Sequence, residues 1–337
     1  MKCNTCAAGS CYDGLAQIRG LWRASILPMD QWLILAPALS DMPLASLFRR
    51  TGKSSPGLLA AGRIIRVASM LHGHATGNPQ APAIVFLHAM ATSSWMWKDQ
   101  VTRLPDFYSL CIDLPGHGLS SAVPWRSFDD AADKVAEIIR AQLPGRRVHV
   151  VGLSLGAYVG LTLMSRHAAC VDHSILSGIN VLPLPNLWFM DLLSYLMAPL
   201  LKTGFGAKMN TKALNIPTDQ LEGYSQSLRQ VSRQAFISAG RDASRFSTPA
   251  NIADIATPTL LLAGEREHIL VHNSTALLAN MLPNAIARWA PNAGHGWPAE
   301  LPGLFAATVR QWCSDRALPA ELLASHPLRQ AWKAMRA

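Results

Sequence analysis

The fold class of this chain is decided by Val148-His149-Val150-Val151-Gly152-Leu153-Ser154-Leu155-Gly156-Ala157. The first four residues form a short apolar run, which is typical of a strand buried in a parallel sheet. The residues from Leu155 onward predict a helix. Gly152 and Gly156 allow a tight turn that exposes Ser154 at the top of the sheet. By composition alone, Gly-x-Ser-x-Gly is expected in about one chain in ten of this length, so its place between a strand and a helix is the informative feature.

Short apolar runs alternate with segments of helical spacing from residue 63 onward. This alternation predicts an α/β fold with a mostly parallel sheet and helices on both faces. His72–Pro82 is rich in turn residues and is predicted to be a loop. The predicted strands are Arg63–Leu71, Ala83–Leu87, Tyr108–Ile112, Arg147–Val151, His173–Leu176, Pro258–Ala263 and Ala285–Ala290, and the predicted helices are Phe128–Gln142, Leu155–His167, Ser274–Met281, Leu304–Trp312 and Leu318–Met335.

The alternating pattern divides the chain into four parts. Residues 62–179 and 256–315 are predicted to form the α/β core. Residues 180–255 follow the strand after the Ser154 helix and are too many for a plain connection. We expect them to form a helical cap over the carboxyl ends of the strands, where open α/β sheets bind ligands. Residues 1–61 and 316–337 are predicted to be N- and C-terminal extensions, the first of them poorly ordered.

Composition limits the partners and the compartment. The 337 residues carry a formal net charge of +9, which favours weak association with acidic membrane surfaces. Nucleic acid is not an expected partner, because the basic residues are scattered and no binding motif accompanies them. Cys111, Cys170 and Cys313 lie in apolar segments and are typical of buried thiols in a reducing compartment, so we expect a cytoplasmic protein. The sequence contains no convincing signal peptide or membrane span.

Several motifs in chain order resemble those of the α/β-hydrolase superfamily, in its branch of serine esterases with a lid. The resemblance covers roughly residues 63–314 and implies the fold of that superfamily. The strand and turn around Ser154 match the nucleophile elbow of the family. The other matching segments are Phe86–Met90, Asp113–Ser120, Leu260–His268 and Gly294–Gly296.

The resemblance implies a catalytic triad. Ser154 would be the nucleophile, and His295 would take its proton during attack and return it to the leaving group. A carboxylate on the other imidazole nitrogen would fix the tautomer and stabilise the imidazolium. The family usually has Asp as the acid, whereas the matching position here is Glu267, which we favour over Glu265. Asp172 and Asp191 are weaker candidates for the acid, and Asp113 is interpreted as a structural residue that orders its loop.

The oxyanion hole implied by the resemblance consists of the backbone N–H groups of Met90 and Leu155. The family usually has Gly after the first histidine of this loop, but this chain has Ala89 after His88. We expect the added methyl group to narrow the loop or to shift its backbone.

No cofactor and no metal are expected. The pairs His72/His74 and His268/His272 have spacings that could bind a metal ion, but neither pair has the acidic partner of a known zinc helix. His117 is interpreted as a structural residue of its glycine-rich loop. Four other histidines are interpreted as packing or surface residues, namely His149, His167, His173 and His326.

The predicted activity is cleavage of a carboxylic ester of a small-to-medium apolar molecule through an acyl-enzyme. The apolar cap residues are interpreted either as a pocket wall or as a seal against the core. They are Leu182, Leu184, Leu187, Trp188, Phe189, Met190, Leu193, Tyr195, Leu196 and Met197. The alternatives are carbon–carbon bond hydrolysis, lactone opening or perhydrolysis on the same fold, and a binding or signalling protein with slow turnover.

Overall fold

The computed structural model describes residues 63–66, 71–201, 203 and 220–324. The predicted N-terminal extension, residues 204–219 of the predicted cap and the end of the C-terminal extension lie outside the described residues. Among the helices that are described, none is long and apolar enough to cross a lipid bilayer.

Eight strands form one sheet in the order β1-β2-β4-β3-β5-β6-β7-β8. The pairs β1/β2 and β2/β4 are antiparallel, and all the other pairs are parallel. The mostly parallel sheet flanked by helices is therefore confirmed. The strands are β1 (Arg63–Arg66), β2 (His72–Thr76), β3 (Ala83–Leu87), β4 (Tyr108–Ile112), β5 (Val148–Leu153), β6 (Val171–Ser177), β7 (Thr259–Gly264) and β8 (Ala285–Ala290).

Nine α-helices lie among the described residues. They are α1 (Lys98–Arg103), α2 (Phe128–Gln142), α3 (Leu155–Arg166), α4 (Leu187–Leu201), α5 (Leu221–Gln230), α6 (Arg233–Ser244), α7 (Ile269–Met281), α8 (Trp297–Glu300) and α9 (Pro302–Asp315).

Two predictions of secondary structure are wrong. His72–Thr76 forms β2 and not a loop; its inward residues are Gly73 and Ala75, too small to give an apolar alternation. Residues 318–324 of the predicted C-terminal helix are not helical. α9 ends at Asp315, and the next residue, Arg316, lies in the left-handed region at φ 61°. Leu323 then forms a β-bridge with Trp289.

The sheet lies between two apolar clusters. Every residue of β3 is buried, with Val85 and Leu87 in the cluster beneath α2, α3 and α7. Ile84 and Phe86 belong to the other cluster, beneath α1 and α9. A central strand covered on both faces has no polar side, and this is why its sequence is a continuous apolar run.

The segment between β6 and β7 contains α4, α5 and α6, and two of these helices contact the loops that follow β3 and β4. The N–H of Ser232, which caps α6, donates to the carbonyl of Gly116 over 2.8 Å. In α5, the Ser227 hydroxyl bonds to that of Ser93 at 3.2 Å and accepts a hydrogen bond from the Trp95 indole. Both helices therefore lie at the carboxyl ends of the strands.

Candidate active site

Ser154 occupies the turn between β5 and α3 in an unusual backbone conformation. Its φ of 53° and ψ of −112° are sparsely populated by non-glycine residues, so the surrounding structure must hold it there. The Ser154 N–H donates to the carbonyl of Ser177 over 2.8 Å. A side chain at Gly152 would overlap the carbonyl of Gly156, and one at Gly156 would overlap that of Leu87. Both glycines are required because backbones meet here.

His295 and Glu267 form a hydrogen-bonded pair. The imidazole Nδ1 lies 2.8 Å from one carboxylate oxygen of Glu267, and the other oxygen accepts the Gly264 N–H over 2.9 Å. The Glu267 side chain is 2% exposed, whereas that of His295 is 34% exposed. Since an ionised carboxylate only accepts hydrogen bonds, Nδ1 carries the proton and Nε2 of the neutral ring is left as a base.

The same carboxylate alters the affinity of His295 for a proton. Burial lowers the pKa of His295, but the charge of Glu267 and its hydrogen bond outweigh this, so the pKa of His295 lies above its ordinary value. The pair is therefore suited to stabilise an imidazolium.

Gly178 is a site residue that sequence reasoning missed. It follows β6 at φ +67°, and its N–H donates to the carbonyl of Leu262 over 3.0 Å. A Cβ at this position would lie 2.6 Å from Cε1 of His295. Ser177 holds the Ser154 backbone and Gly178 lies against the His295 ring, so the end of β6 joins these two parts of the site. A glycine immediately after a strand was the only signal of this role in the sequence.

The loop that carries His295 is held on both sides. The Gly294 N–H donates to a carboxylate oxygen of Glu300 over 3.0 Å. The buried indole of Trp297 donates to the Ser177 hydroxyl over 2.8 Å. These two residues, which the sequence did not single out, position the imidazole relative to β6.

Glu265, the other candidate acid, does not contact His295. Its carboxylate accepts the N–H of Asn292 over 2.7 Å and so supports a turn in which Asn292 has a φ of 51°. The structure thus brings Glu267, and not Glu265, to the histidine.

The weaker candidate acids have other partners. Asp191 pairs with Arg245 at 2.7 Å. Asp172 lies near the amino end of β6, the opposite end of that strand from Gly178. Asp113 is buried, and its two oxygens accept the N–H groups of Ser94 (2.7 Å) and Leu119 (2.8 Å). Asp113 therefore orders the loops after β3 and β4.

His88 anchors the loop after β3. It is fully buried, and its Nε2 accepts the Leu114 N–H over 2.9 Å. Nδ1 must therefore carry the ring proton, which it donates to the carbonyl of Ala89 at 2.8 Å. Burial lowers the pKa of His88 despite the nearby Asp113, so the ring is neutral. Thr92 donates its hydroxyl to the same carbonyl over 2.7 Å, which fixes the loop.

The methyl group of Ala89 fits this loop. The positive φ of the loop falls at Ala91 (60°) and not at Ala89, so position 89 does not need glycine. Within the part of the chain that the structure describes, the N–H groups of Met90 and Leu155 donate no hydrogen bond. Both are thus available to an acceptor from outside.

Neither of the two histidine pairs considered as metal sites gathers a third ligand among the described residues. His268 caps α7, where its Nδ1 accepts the Leu270 N–H over 3.2 Å. His72 faces Asp113 at 3.7 Å, but that carboxylate already accepts two backbone N–H groups. In the described ranges, the donor atoms close enough to share a metal ion belong to His149, Asp172 and His173.

Three of the apolar cap residues in α4 do not form the wall of an enclosed pocket. Trp188, Tyr195 and Leu196 are exposed, so that interpretation is wrong for these three residues. A separate apolar cluster lies next to Met90 and contains Ala91, Trp95, Tyr224, Leu228 and Phe236.

Comparison of the chain with known proteins identifies the family to which it belongs. A family model described as the alpha/beta hydrolase family matches residues 84–308, which is more than half of the chain. The chain belongs to the alpha/beta hydrolase family. The predicted superfamily is therefore confirmed, and with it the general class of hydrolase. The bond cleaved and the substrate are finer questions, because one fold supports many reactions.

This alpha/beta hydrolase is similar to an AB hydrolase superfamily protein of Gibberella zeae, with 25% identity over 249 residues that cover 72% of this chain and 83% of the relative. A 2-succinyl-6-hydroxy-2,4-cyclohexadiene-1-carboxylate synthase of Enterobacter sp. is 32% identical over 102 residues, 30% of this chain and 39% of the synthase. This match spans well under half of the synthase.

A solved structure, that of a hydrolase from Pseudomonas aeruginosa PA01, has a TM-score of 0.64 and 22% identity, covering 76% of this chain and 99% of that chain. At this level of identity the likeness concerns the fold alone.

Proposed function

We propose that this protein is a serine hydrolase that cleaves carboxylic esters of small-to-medium apolar molecules through an acyl-enzyme. The observation that carries the proposal is the hydrogen bond between the buried Glu267 carboxylate and Nδ1 of His295. The imidazole lies against Gly178, and the preceding residue, Ser177, accepts the backbone N–H of Ser154. An acid that orients a histidine next to a strained serine is the arrangement that activates a hydroxyl nucleophile.

The reaction follows from these groups. The Ser154 oxygen attacks the ester carbonyl while Nε2 of His295 takes the hydroxyl proton, and Glu267 stabilises the imidazolium that results. Collapse of the tetrahedral intermediate breaks the bond to the alkoxy group, which leaves as an alcohol with the proton from Nε2. A water molecule then attacks the acyl-enzyme with the same base and releases the acid and the free serine.

The N–H groups of Met90 and Leu155 would stabilise the negative oxygen of each tetrahedral intermediate. Their lack of partners within the described residues supports this role, as does the rigid anchoring of the loop through His88. Leu155 is the first residue of α3, where the helix dipole also favours negative charge.

The apolar cluster beside Met90 supports an uncharged acyl or alkyl group. Its side chains include Ala91, Leu228 and Phe236, and such groups offer a charged substituent no partner to replace the hydration that it would lose.

The leading alternative keeps the site and changes the bond. The similarity to the cyclohexadiene-carboxylate synthase favours it, because that protein carries a name for chemistry other than ester cleavage. Carbon–carbon bond hydrolysis, lactone opening and perhydrolysis all use a nucleophile elbow. A binding or signalling protein with slow turnover is the remaining alternative.

Hydrolysis of p-nitrophenyl esters from acetate to palmitate tests the proposal. We expect Ser154→Ala, His295→Ala and Glu267→Gln to lower kcat at least about 10³-fold, since the three residues act as a unit. Glu265→Gln is the matched control, and we expect it to retain turnover. If the wild-type protein cleaves no ester, the proposal is wrong and the alternative bonds and ligand binding become the hypotheses to examine.

The pH profile gives a second readout for Glu267. Turnover needs the neutral imidazole, so it falls as the pH drops through the raised pKa of His295. Glu267→Gln removes the charge that raises this pKa and leaves burial, which lowers it. We expect the acidic limb of kcat/KM to move to lower pH in this variant, and an unchanged limb would contradict the assigned role.

A further inference from the structure

Three potential metal ligands meet at the amino ends of β5 and β6, whereas Ser154 lies at the opposite end of the sheet. His149 is the second residue of β5, and Asp172 and His173 are the second and third residues of β6. His149 precedes Ser154 by five positions along extended chain, which corresponds to roughly 16 Å. The cluster is therefore outside the proposed catalytic site.

An irregularity in strand pairing brings the three side chains together. Val148 pairs with Val171 and Val150 pairs with Ser174, so His149 alone faces two residues of β6. In a regular strand, successive side chains point to opposite faces of the sheet, whereas a β-bulge redirects them. Nδ1 of His149 lies 3.8 Å, and Nδ1 of His173 3.1 Å, from the same oxygen of Asp172.

His149 has a buried nitrogen that lacks a partner. Its side chain is 8% exposed, and Nδ1 makes no hydrogen bond within the described part of the chain. An unsatisfied buried nitrogen is costly, so such a group calls for a function. This nitrogen lies 3.8 Å from the Asp172 carboxylate and is open to a metal ion. A neutral imidazole nitrogen is the form that binds metals.

Two arginines border the cluster, and both are compatible with a cation. Arg147 is held by the carbonyl of Val171 (2.6 Å) and faces the other carboxylate oxygen of Asp172 at 3.8 Å. The Asp172 oxygen that lies between the two imidazoles is therefore not the one that Arg147 faces. Arg316 donates to Nε2 of His173 over 3.4 Å, but this arginine is exposed and can rotate away. Once Arg316 has rotated away, the ring proton of His173 can shift from Nδ1 to Nε2, which leaves Nδ1 free to bind a metal ion.

We propose that His149, Asp172 and His173 bind a divalent transition metal, with Zn²⁺ as the representative ion. Two imidazole nitrogens and one carboxylate oxygen are a donor set suited to zinc, copper or nickel rather than to magnesium or calcium. Tetrahedral zinc with bonds of about 2.0–2.1 Å separates its ligand atoms by about 3.4 Å, close to the two distances observed here. The metal clamps the start of β5 to β6 and takes no part in the proposed ester cleavage.

Zinc binding to the full chain tests this site independently of hydrolysis. Cys3, Cys6 and Cys11 are first replaced by Ser, because thiols near the N-terminus compete for zinc. Bound Zn²⁺ is measured by equilibrium dialysis and elemental analysis, and thermal unfolding is followed with and without the ion. We expect one equivalent of zinc and a higher Tm, since a ligand that binds only the folded state stabilises it.

Variants decide where the zinc binds. Asp172→Asn and His173→Asn should weaken binding at least about tenfold and abolish the rise in Tm. His167→Asn is the matched control because its side chain has similar exposure, 18% against 16% for His173, and lies outside the cluster. It should bind like the cysteine-free parent. No bound zinc in the parent, or equal binding by His173→Asn and the parent, would overturn the proposal.

Discussion

At the scale of single residues, Gly178 explains how a histidine and a serine from distant parts of the chain are held in one site. The absence of a side chain lets the imidazole of His295 pack on the backbone just beyond the Ser177 carbonyl that binds the Ser154 N–H. The glycine is required twice, once for its positive φ and once for this close approach.

We predict that Gly178→Ala displaces the His295 ring and lowers kcat/KM for esters at least about tenfold, because misplaced catalytic groups lose much of their effect. Gly145→Ala is the matched control. It has a similar positive φ (71°) but nothing within 4 Å of an added Cβ, so it separates backbone strain from the clash. It should lose about 1 kcal/mol of stability with little loss of turnover. Equal activity in both variants would show that Gly178 does not position the histidine.

At the scale of elements, the seating of α6 depends on Gly116 in the loop after β4. A Cβ at Gly116 would overlap that of Ala235 in α6, and the carbonyl of Gly116 accepts the N–H of Ser232. The loop and the helix thus contact each other through backbone at a point where neither has room for a larger residue. This contact joins the inserted helices to the end of the sheet that carries Ser154.

We predict that Gly116→Ala destabilises the protein by about 2–3 kcal/mol, since it adds both a clash and a strained φ of +77°. Ala235→Gly alone should cost about 1 kcal/mol through helix propensity. The double variant should be more stable than the sum of the two changes, because removing the Ala235 methyl group relieves the clash. Urea unfolding of the four proteins measures this coupling, and strict additivity would show that the two positions do not meet.

At the scale of the whole molecule, charge and exposed apolar surface act together. The net charge is +9, and α4 exposes Trp188, Leu192, Tyr195 and Leu196 along one stripe. Arg233 lies over the Tyr195 ring at 4.6 Å, which adds a cation to that stripe. Exposed aromatic side chains with a basic side chain beside them suit the surface of a membrane with anionic lipids.

We predict that the protein co-sediments with vesicles containing phosphatidylserine at low salt, and that high salt weakens this binding by screening. Trp188→Ser with Tyr195→Ser should reduce the bound fraction. Leu277→Ser, which changes an exposed leucine of α7, is the control and should bind like wild type. Binding that is independent of salt and of the α4 residues would exclude this stripe as the lipid contact.

The sequence by itself determined the fold and most of the candidate site, because the deciding signals are local. A glycine-flanked serine between a strand and a helix, and apolar runs alternating with helical segments, depend only on neighbouring residues. Glu267 and His295 could be proposed because each lies in a short segment that resembles a motif of the α/β-hydrolase superfamily. β2 was not predicted from the sequence, because glycine and alanine at its inward positions do not give an alternating apolar pattern.

Only the tertiary structure decided what depends on contacts between distant segments. It brought Glu267, and not Glu265, to the histidine, because the direction of each side chain in that loop is set by the packing of β7 and β8. It placed Gly178 against His295, which is more than a hundred residues away in the chain. It also gathered His149, Asp172 and His173, because a register shift between β5 and β6 is a property of the pairing and not of either strand alone.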